Sequence, residues 1–143
     1  MTQFIPVTPD FAVAGQLTPE DFAAAHAGGY RLVINNRPDG EQPGQLTAAQ
    51  GAQAAQAAGL GYLHLPFQGQ PPADVVEKMI EALEGAQGPV LAHCRSGTRS
   101  ITAWALASAI SAKHNPVEIV QAADAAGYDL SGLLPVLQRL SGA

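Results

Sequence analysis

Pro89-Val90-Leu91-Ala92-His93-Cys94-Arg95-Ser96-Gly97-Thr98-Arg99-Ser100 is the stretch from which the fold is read. Val90 to His93 is a short apolar run of strand character. Ile101 to Lys113 is a longer apolar stretch of helical composition. The residues between them form a strand-to-helix turn, where backbone N–H groups point at whatever lies beyond the helix N-terminus. Cys94 is the only cysteine of the chain, so it enters no internal disulfide and is left for chemistry or burial. A lone cysteine is commonly an inert buried residue. Here a glycine and two arginines stand within five residues of it, and a helix N-terminus beside cations favours the reactive thiolate.

Outward from this turn, strands and helices alternate. Strands are expected at Phe4 to Val7, Phe11 to Ala14, Tyr30 to Asn35, Tyr62 to Leu65 and Val90 to His93. Thr18-Pro19-Glu20-Asp21 is a helix start, with Thr18 as N-cap and Pro19 at the first position, and that helix ends at Gly28-Gly29. Thr47 caps an alanine- and glutamine-rich surface helix that stops at Gly59. A helix from Ala73 to Glu84 carries Val75, Val76, Met79, Ile80 and Leu83 on one face. Helices from Ser100 to Lys113, from Asn115-Pro116, and near Ser131 to Leu140 complete the chain. Such alternation gives a mostly parallel sheet covered on both faces, whose ligands bind beyond the carboxyl ends of the strands. Asn35 to Glu41, Pro66 to Gln70 and Cys94 to Arg99 should therefore converge on one crevice.

The 143 residues are expected to form one domain, residues 1–143. Hydrophobic residues make up 47% and charged residues only 13%, which suits a full core and argues against disorder. A net charge of −5 with seven Lys plus Arg offers no basic face for nucleic acid. No run reaches the roughly 18–20 apolar residues of a membrane span. The start, Met1-Thr2-Gln3-Phe4-Ile5-Pro6, does not read as a secretory signal, so the cytoplasm is the expected location. His26, His64 and His114 have no ligand spacing, and neither metal nor cofactor is expected. Trp104 reads as core.

His93-Cys94, Gly97 and Arg99-Ser100 resemble the signature of cysteine-dependent protein phosphatases, His-Cys-x-x-Gly-x-x-Arg-Ser/Thr. Four residues rather than that family's five separate Cys94 from Arg99. Four is the spacing of many single-domain rhodaneses, whose Cys-Arg-Ser-Gly-x-Arg-Ser this turn also resembles. Three separated motifs, Gln16 to Asp21, Val33 to Glu41 and Leu91 to Ser100, together resemble the beta-lactamase hydrolase-like family, whose domain is phosphatase-like and is also called a sulfur transferase family. The resemblance implies an α/β fold of the protein-tyrosine and dual-specificity phosphatase type, with a mostly parallel sheet of 4–5 strands and helices on both faces. Its members also occur fused to sulfide-oxidising enzymes, which implies such enzymes as possible partners.

In this reading Cys94 is the nucleophile. The N–H groups and side chains of Arg95, Ser96, Gly97 and Thr98 cradle an anion, Arg99 supplies a bidentate fork, and Ser100 donates to the Cys94 sulfur. His93 tunes the loop. Arg37 either reaches over the crevice to the anion or pairs with Asp39 or Glu41 to shape the turn. A phosphatase also needs a general acid. Leu65-Pro66-Phe67-Gln68-Gly69-Gln70, where related enzymes carry it, has none, which leaves Asp39, Glu41 and Asp74 as candidates. Sulfur transfer needs no acid, and a shorter loop suits a persulfide. The sequence alone therefore favours a sulfurtransferase, taking thiosulfate or a persulfide and passing sulfane sulfur from Cys94 to a low-molecular-weight thiol. A phosphatase-type hydrolase acting through phosphocysteine on a small anionic substrate is the alternative. A non-catalytic thiol sensor or anion-binding module is the third reading.

Overall fold

The computed structural model describes residues 2–142; Met1 and Ala143, the ends of the expected 1–143 domain, lie outside the described residues. Five strands form one sheet: β1 (Ile5–Thr8), β2 (Phe11–Ala14), β3 (Leu32–Asn35), β4 (Gly61–His64) and β5 (Val90–His93), in the order β1-β2-β5-β3-β4. β1 pairs antiparallel with β2 through the tight turn at Pro9-Asp10, and the other four strands run parallel. β5, the strand that delivers Cys94, lies at the centre between β2 and β3, with His93 opposite both Ala14 and Asn35. The expected strand boundaries hold to within two residues. Tyr30 and Arg31 precede the β3 ladder because Tyr30 N–H still bonds back to Ala25 of the preceding helix.

Period-two alternation divides the core into two layers. Phe11, Val13, Ile34, Val90 and Ala92 face the helices α3 (Ala73–Gly85), α4 (Thr98–Ile110), α5 (Pro116–Ala125) and α6 (Leu134–Leu140). Ala12, Ala14, Val33 and Leu91 face α1 (Pro19–Ala27) and α2 (Ala48–Ala58). Small alanines on the second face let α1 and α2 pack close. The α4 helix is buried along most of its length, with Ile101, Ala103, Trp104, Ala105, Ala107 and Ala109 all in the core. This explains a helix apolar on every side yet too short for a membrane. No described helix is long and apolar enough to cross one. The last element begins as a 3-10 turn, Ser131–Leu133, before α6, because Pro135 lacks the N–H an earlier α start would use.

The N-caps were legible and form as read: capping boxes join Thr18 with Asp21, Thr47 with Gln50 and Asn115 with Glu118. The α2 helix is less of a surface element than its composition suggests, since Gly51 and Ala55 are buried against the sheet. Gly51 lies under the Tyr62 ring, and a Cβ there would stand 2.6 Å from the Tyr62 hydroxyl. That hydroxyl is pinned by a 2.9 Å hydrogen bond from Asn35 Nδ2 at the end of β3. Gly51→Ala should gain about 1 kcal/mol of helix propensity and still destabilise the protein by about 1–2 kcal/mol through overpacking. Thermal melts of Gly51→Ala and Gly51→Ala/Tyr62→Phe check this, with the double variant recovering part of the loss.

Candidate active site

The carboxyl ends of β2, β5, β3 and β4 meet above the centre of the sheet, and the turn from Cys94 to Gly97 lies among them. Cys94 is buried, with 1% of its surface exposed. Its sulfur accepts a 3.1 Å hydrogen bond from the Gly97 N–H, so the loop closes back over the thiol. Gly97 is the N-cap of α4 and has φ 93°, a conformation that L side chains rarely adopt. Its open face is covered by Tyr128, whose hydroxyl donates to the Ser96 carbonyl at 2.8 Å. Gly15, just after β2, supports the loop from below: a Cβ there would sit 3.0 Å from the Arg95 carbonyl oxygen. Ser96 and Thr98 hydroxyls lie 3.2 Å apart on the exposed rim, and the exposed Arg95 makes no ion pair among the described residues.

Arg99, at the first turn of α4, is held by Glu41. Nη1 donates to Glu41 Oε2 at 2.9 Å, Nη2 donates to Oε1 at 2.8 Å, and Nη1 also donates to the Phe67 carbonyl at 3.1 Å. A guanidinium has five N–H donors. The three in use leave Nε–H and the second Nη2 proton together on one edge. That edge has the donor geometry of a bidentate fork. The Glu41 carboxylate also accepts from Arg37 Nε at 2.8 Å and from Gln68 Nε2 at 3.1 Å. Hydrogen bonding from Arg99 is the main cause that holds its pKa down to about 2; the guanidinium of Arg37 and the amide of Gln68 add to it, against the opposing cost of burial. The same pairing raises the pKa of Arg99 further above its ordinary value.

Several expected roles change in this geometry. Glu41 is no general acid: a carboxylate ionised down to about pH 2 has no proton to give near neutrality. Arg37 does not reach over the crevice. It is 1% exposed, and its guanidinium is spent on Glu41, Gln16 Oε1 at 3.0 Å and Gln42 Oε1 at 3.1 Å. The turn-shaping alternative is the one realised. Asp39 is taken up elsewhere, its carboxylate accepting from the Ala48 N–H at 2.8 Å at the start of α2. Ser100 does not donate to Cys94; it is fully buried and donates to Asn36 Oδ1 at 2.8 Å. Asn36 Nδ2 in turn donates to the Leu65 carbonyl, and Asn36 N–H to the His93 carbonyl, so Asn36 joins β3, β4, β5 and α4 where the crevice opens. Asp74 alone of the three acid candidates accepts no hydrogen bond among the described residues; it is exposed in the first turn of α3.

His93 is buried beneath the loop. Desolvation lowers its pKa to about 4, with the Cys94 backbone opposing the shift, so the ring is neutral at physiological pH. Its Nδ1 is buried without a hydrogen-bond partner among the described residues. Sequence reading missed Gln16, Gln42, Gln68, Gly15 and Tyr128. Gln16 carried a signal as part of the Gln16 to Asp21 motif, and Gln68 as part of the Pro66 to Gln70 strand end; the others reach the site through tertiary contacts.

A parallel sheet with a cysteine–arginine loop at its carboxyl edge and helices on both faces is the cysteine-phosphatase fold. The family model of the beta-lactamase hydrolase-like protein, phosphatase-like domain, matches residues 3–111, and the chain belongs to that family. A beta-lactamase hydrolase-like protein of Agrobacterium fabrum is 36% identical over 132 residues, covering 92% of this chain and 31% of the relative. The chain thus spans about a third of the length of the curated relatives it matches. Among solved structures, a phosphatase candidate from Neisseria meningitidis superposes with a TM-score of 0.80 at 30% identity, over 95% of this chain and 96% of that one. The phosphatase PTPMT1 in complex with PI(5)P shares the fold alone, with a TM-score of 0.74 at 16% identity over 97% and 94% of the two chains.

Two predictions follow from the geometry. Glu41 has a folded pKa of about 2 against an ordinary 4.5, so its stabilising contribution is complete above pH 4.5 and is lost as pH falls toward 2. His93 acts in the same direction, with its contribution lost as pH falls from 6.5 toward 4. In urea melts, Glu41→Gln should cost about 2–3 kcal/mol at neutral pH, because it strands Arg37. Its stability curve should converge on that of the wild type as the pH is lowered. Gly97→Ala should collide with the Tyr128 hydroxyl while straining the backbone, and titration calorimetry should show tungstate binding weakened by tenfold or more.

Proposed function

We propose that the chain is a cysteine-dependent, phosphatase-type hydrolase that works through a phosphocysteine on Cys94. The observation that carries the reading is the Nε–Nη2 edge of Arg99, which the Glu41 clamp leaves without an oxygen partner among the described residues, near enough to the buried Cys94 thiol at a helix N-terminus for Cys94 to help raise the Arg99 pKa. Three non-bridging oxygens of a phosphate monoester are held by this edge and by loop N–H groups. The Cys94 thiolate attacks phosphorus opposite the ester oxygen. The S–P bond forms, the P–O bond breaks, and the leaving oxygen takes up a proton. Water then attacks phosphorus, the S–P bond breaks, and inorganic phosphate leaves with Cys94 returned as thiolate. The neutral His93 serves as a loop support, and Ser100 acts through Asn36 to hold the start of α4.

The general acid in this scheme is Asp74, the one of the three candidates whose carboxylate has no partner among the described residues. It follows the segment whose Phe67 carbonyl touches Arg99. Asp74→Asn should lower kcat by about a hundredfold on phenyl phosphate and leave hydrolysis of p-nitrophenyl phosphate nearly unchanged, because nitrophenolate departs without a proton. Equal effects on both esters would remove Asp74 from the scheme.

One observation favours a second reading, sulfur transfer to a small thiol: no carboxylate stands between Leu65 and Pro72. Parallel turnover assays with p-nitrophenyl phosphate and with thiosulfate plus glutathione, on wild type and Cys94→Ser, separate the two. Ester hydrolysis that Cys94→Ser abolishes, without thiocyanate or persulfide formation, supports the hydrolase. Cys94-dependent sulfur transfer without hydrolysis would replace it.

A further inference from the structure

We propose that Tyr128 is a positioning residue that locks one peptide plane of the active loop, and so fixes the direction of the N–H bonded to Cys94. The Ser96–Gly97 peptide is hydrogen-bonded at both ends. Its carbonyl oxygen accepts from the Tyr128 hydroxyl at 2.8 Å, and its N–H donates to Cys94 Sγ at 3.1 Å. In a planar trans peptide these two groups point in opposite directions. Holding the carbonyl outward therefore holds the N–H inward, toward the sulfur.

The lock is needed because Gly97 would otherwise permit the plane to rotate. At φ 93° it occupies a region glycine enters as readily as its mirror. A rotated plane would turn the Ser96 carbonyl oxygen, rather than an N–H, toward a thiolate and any bound oxyanion. Tyr128 covers Gly97 closely enough that no side chain fits beneath it, so glycine and tyrosine require one another. Burial, with the nearby Cys94 charge adding to it, raises the phenol pKa and keeps the hydroxyl in its donating form. The residue sits after α5, in the turn that ends Gly127-Tyr128, and reaches the loop from outside the cysteine motif.

The inference rests on Cys94 being the reactive thiolate of the site, and holds for either phosphate or sulfur as its cargo. The test uses the full chain with Tyr128→Phe, which keeps the ring, and Tyr128→Ala, which removes it. The probes are tungstate affinity by titration calorimetry and the pH dependence of Cys94 alkylation by iodoacetamide, followed by mass. Tyr128→Phe should bind tungstate about tenfold more weakly, because the peptide plane released from the Ser96 carbonyl bond no longer holds the Gly97 N–H as a donor toward the charged centre. Its alkylation profile should move to higher pH, with the thermal melt changed little. Tyr128→Ala should show at least the same changes. Wild-type tungstate affinity and an unmoved alkylation profile in Tyr128→Phe would overturn the proposal, and a loss confined to Tyr128→Ala would reduce Tyr128 to packing. Failure of phosphatase turnover in the wild type would leave both readouts intact, so the two readings fail separately.

Discussion

The Glu41 carboxylate, shared between two guanidinium groups, is the interaction on which the crevice depends. Arg37 Nε and Arg99 Nη2 both meet its Oε1 at 2.8 Å. Arg37 continues β3 and is rigidly buried; Arg99 begins α4 on the far side of the cysteine turn. One negative charge, 58 residues before Arg99 in the sequence, thus ties the end of a core strand to the start of a core helix. Two cations so close would repel one another without it, and the burial of Arg37 would be costly with no partner. The clamp also orients Arg99, because the face of the guanidinium committed to Glu41 decides which edge is left for an anion.

Around that clamp, polar groups are placed by backbone geometry more than by flexible side chains. Asn36 bonds to Ser100 and Leu65 through its side-chain amide and to His93 through its backbone N–H, so the ends of three strands and one helix are joined by a single residue. The small residues Gly15, Gly51 and Gly97 each sit where another group approaches too closely for a side chain. In the resulting loop the Cys94 sulfur accepts from the Gly97 N–H and lies near enough to Arg99 to help raise its pKa. Donors already aimed at developing charge cost little to reorganise.

Much of this was legible in the chain. The caps Thr18 and Thr47 and the start at Asn115-Pro116 place three helices correctly, and Cys94 with Arg99 marks the loop. These are local patterns, set within a few residues. The Arg37–Glu41 pair was one of the local alternatives the chain offered, whereas the second arginine on Glu41 and the partner of Ser100 were not legible, since each depends on which elements lie side by side. Ser100 is next to the motif and still turns to Asn36, 64 residues away in sequence. Glu41 illustrates the same difficulty: a carboxylate near a phosphatase-like loop reads equally as acid or as clamp until its two arginines are located. The shortened loop favoured sulfur on sequence grounds, whereas the family relation gives more weight to a phosphatase-type hydrolase.

The central claim concerns what becomes bonded to Cys94. Rapid acid quench of the wild type during turnover of an aryl phosphate, followed by intact and peptide mass spectrometry, measures it directly. The account predicts one phosphoryl increment on the peptide containing Cys94, absent in Cys94→Ser. No phosphoryl adduct, together with a one-sulfur increment on Cys94 after incubation with thiosulfate, would contradict it.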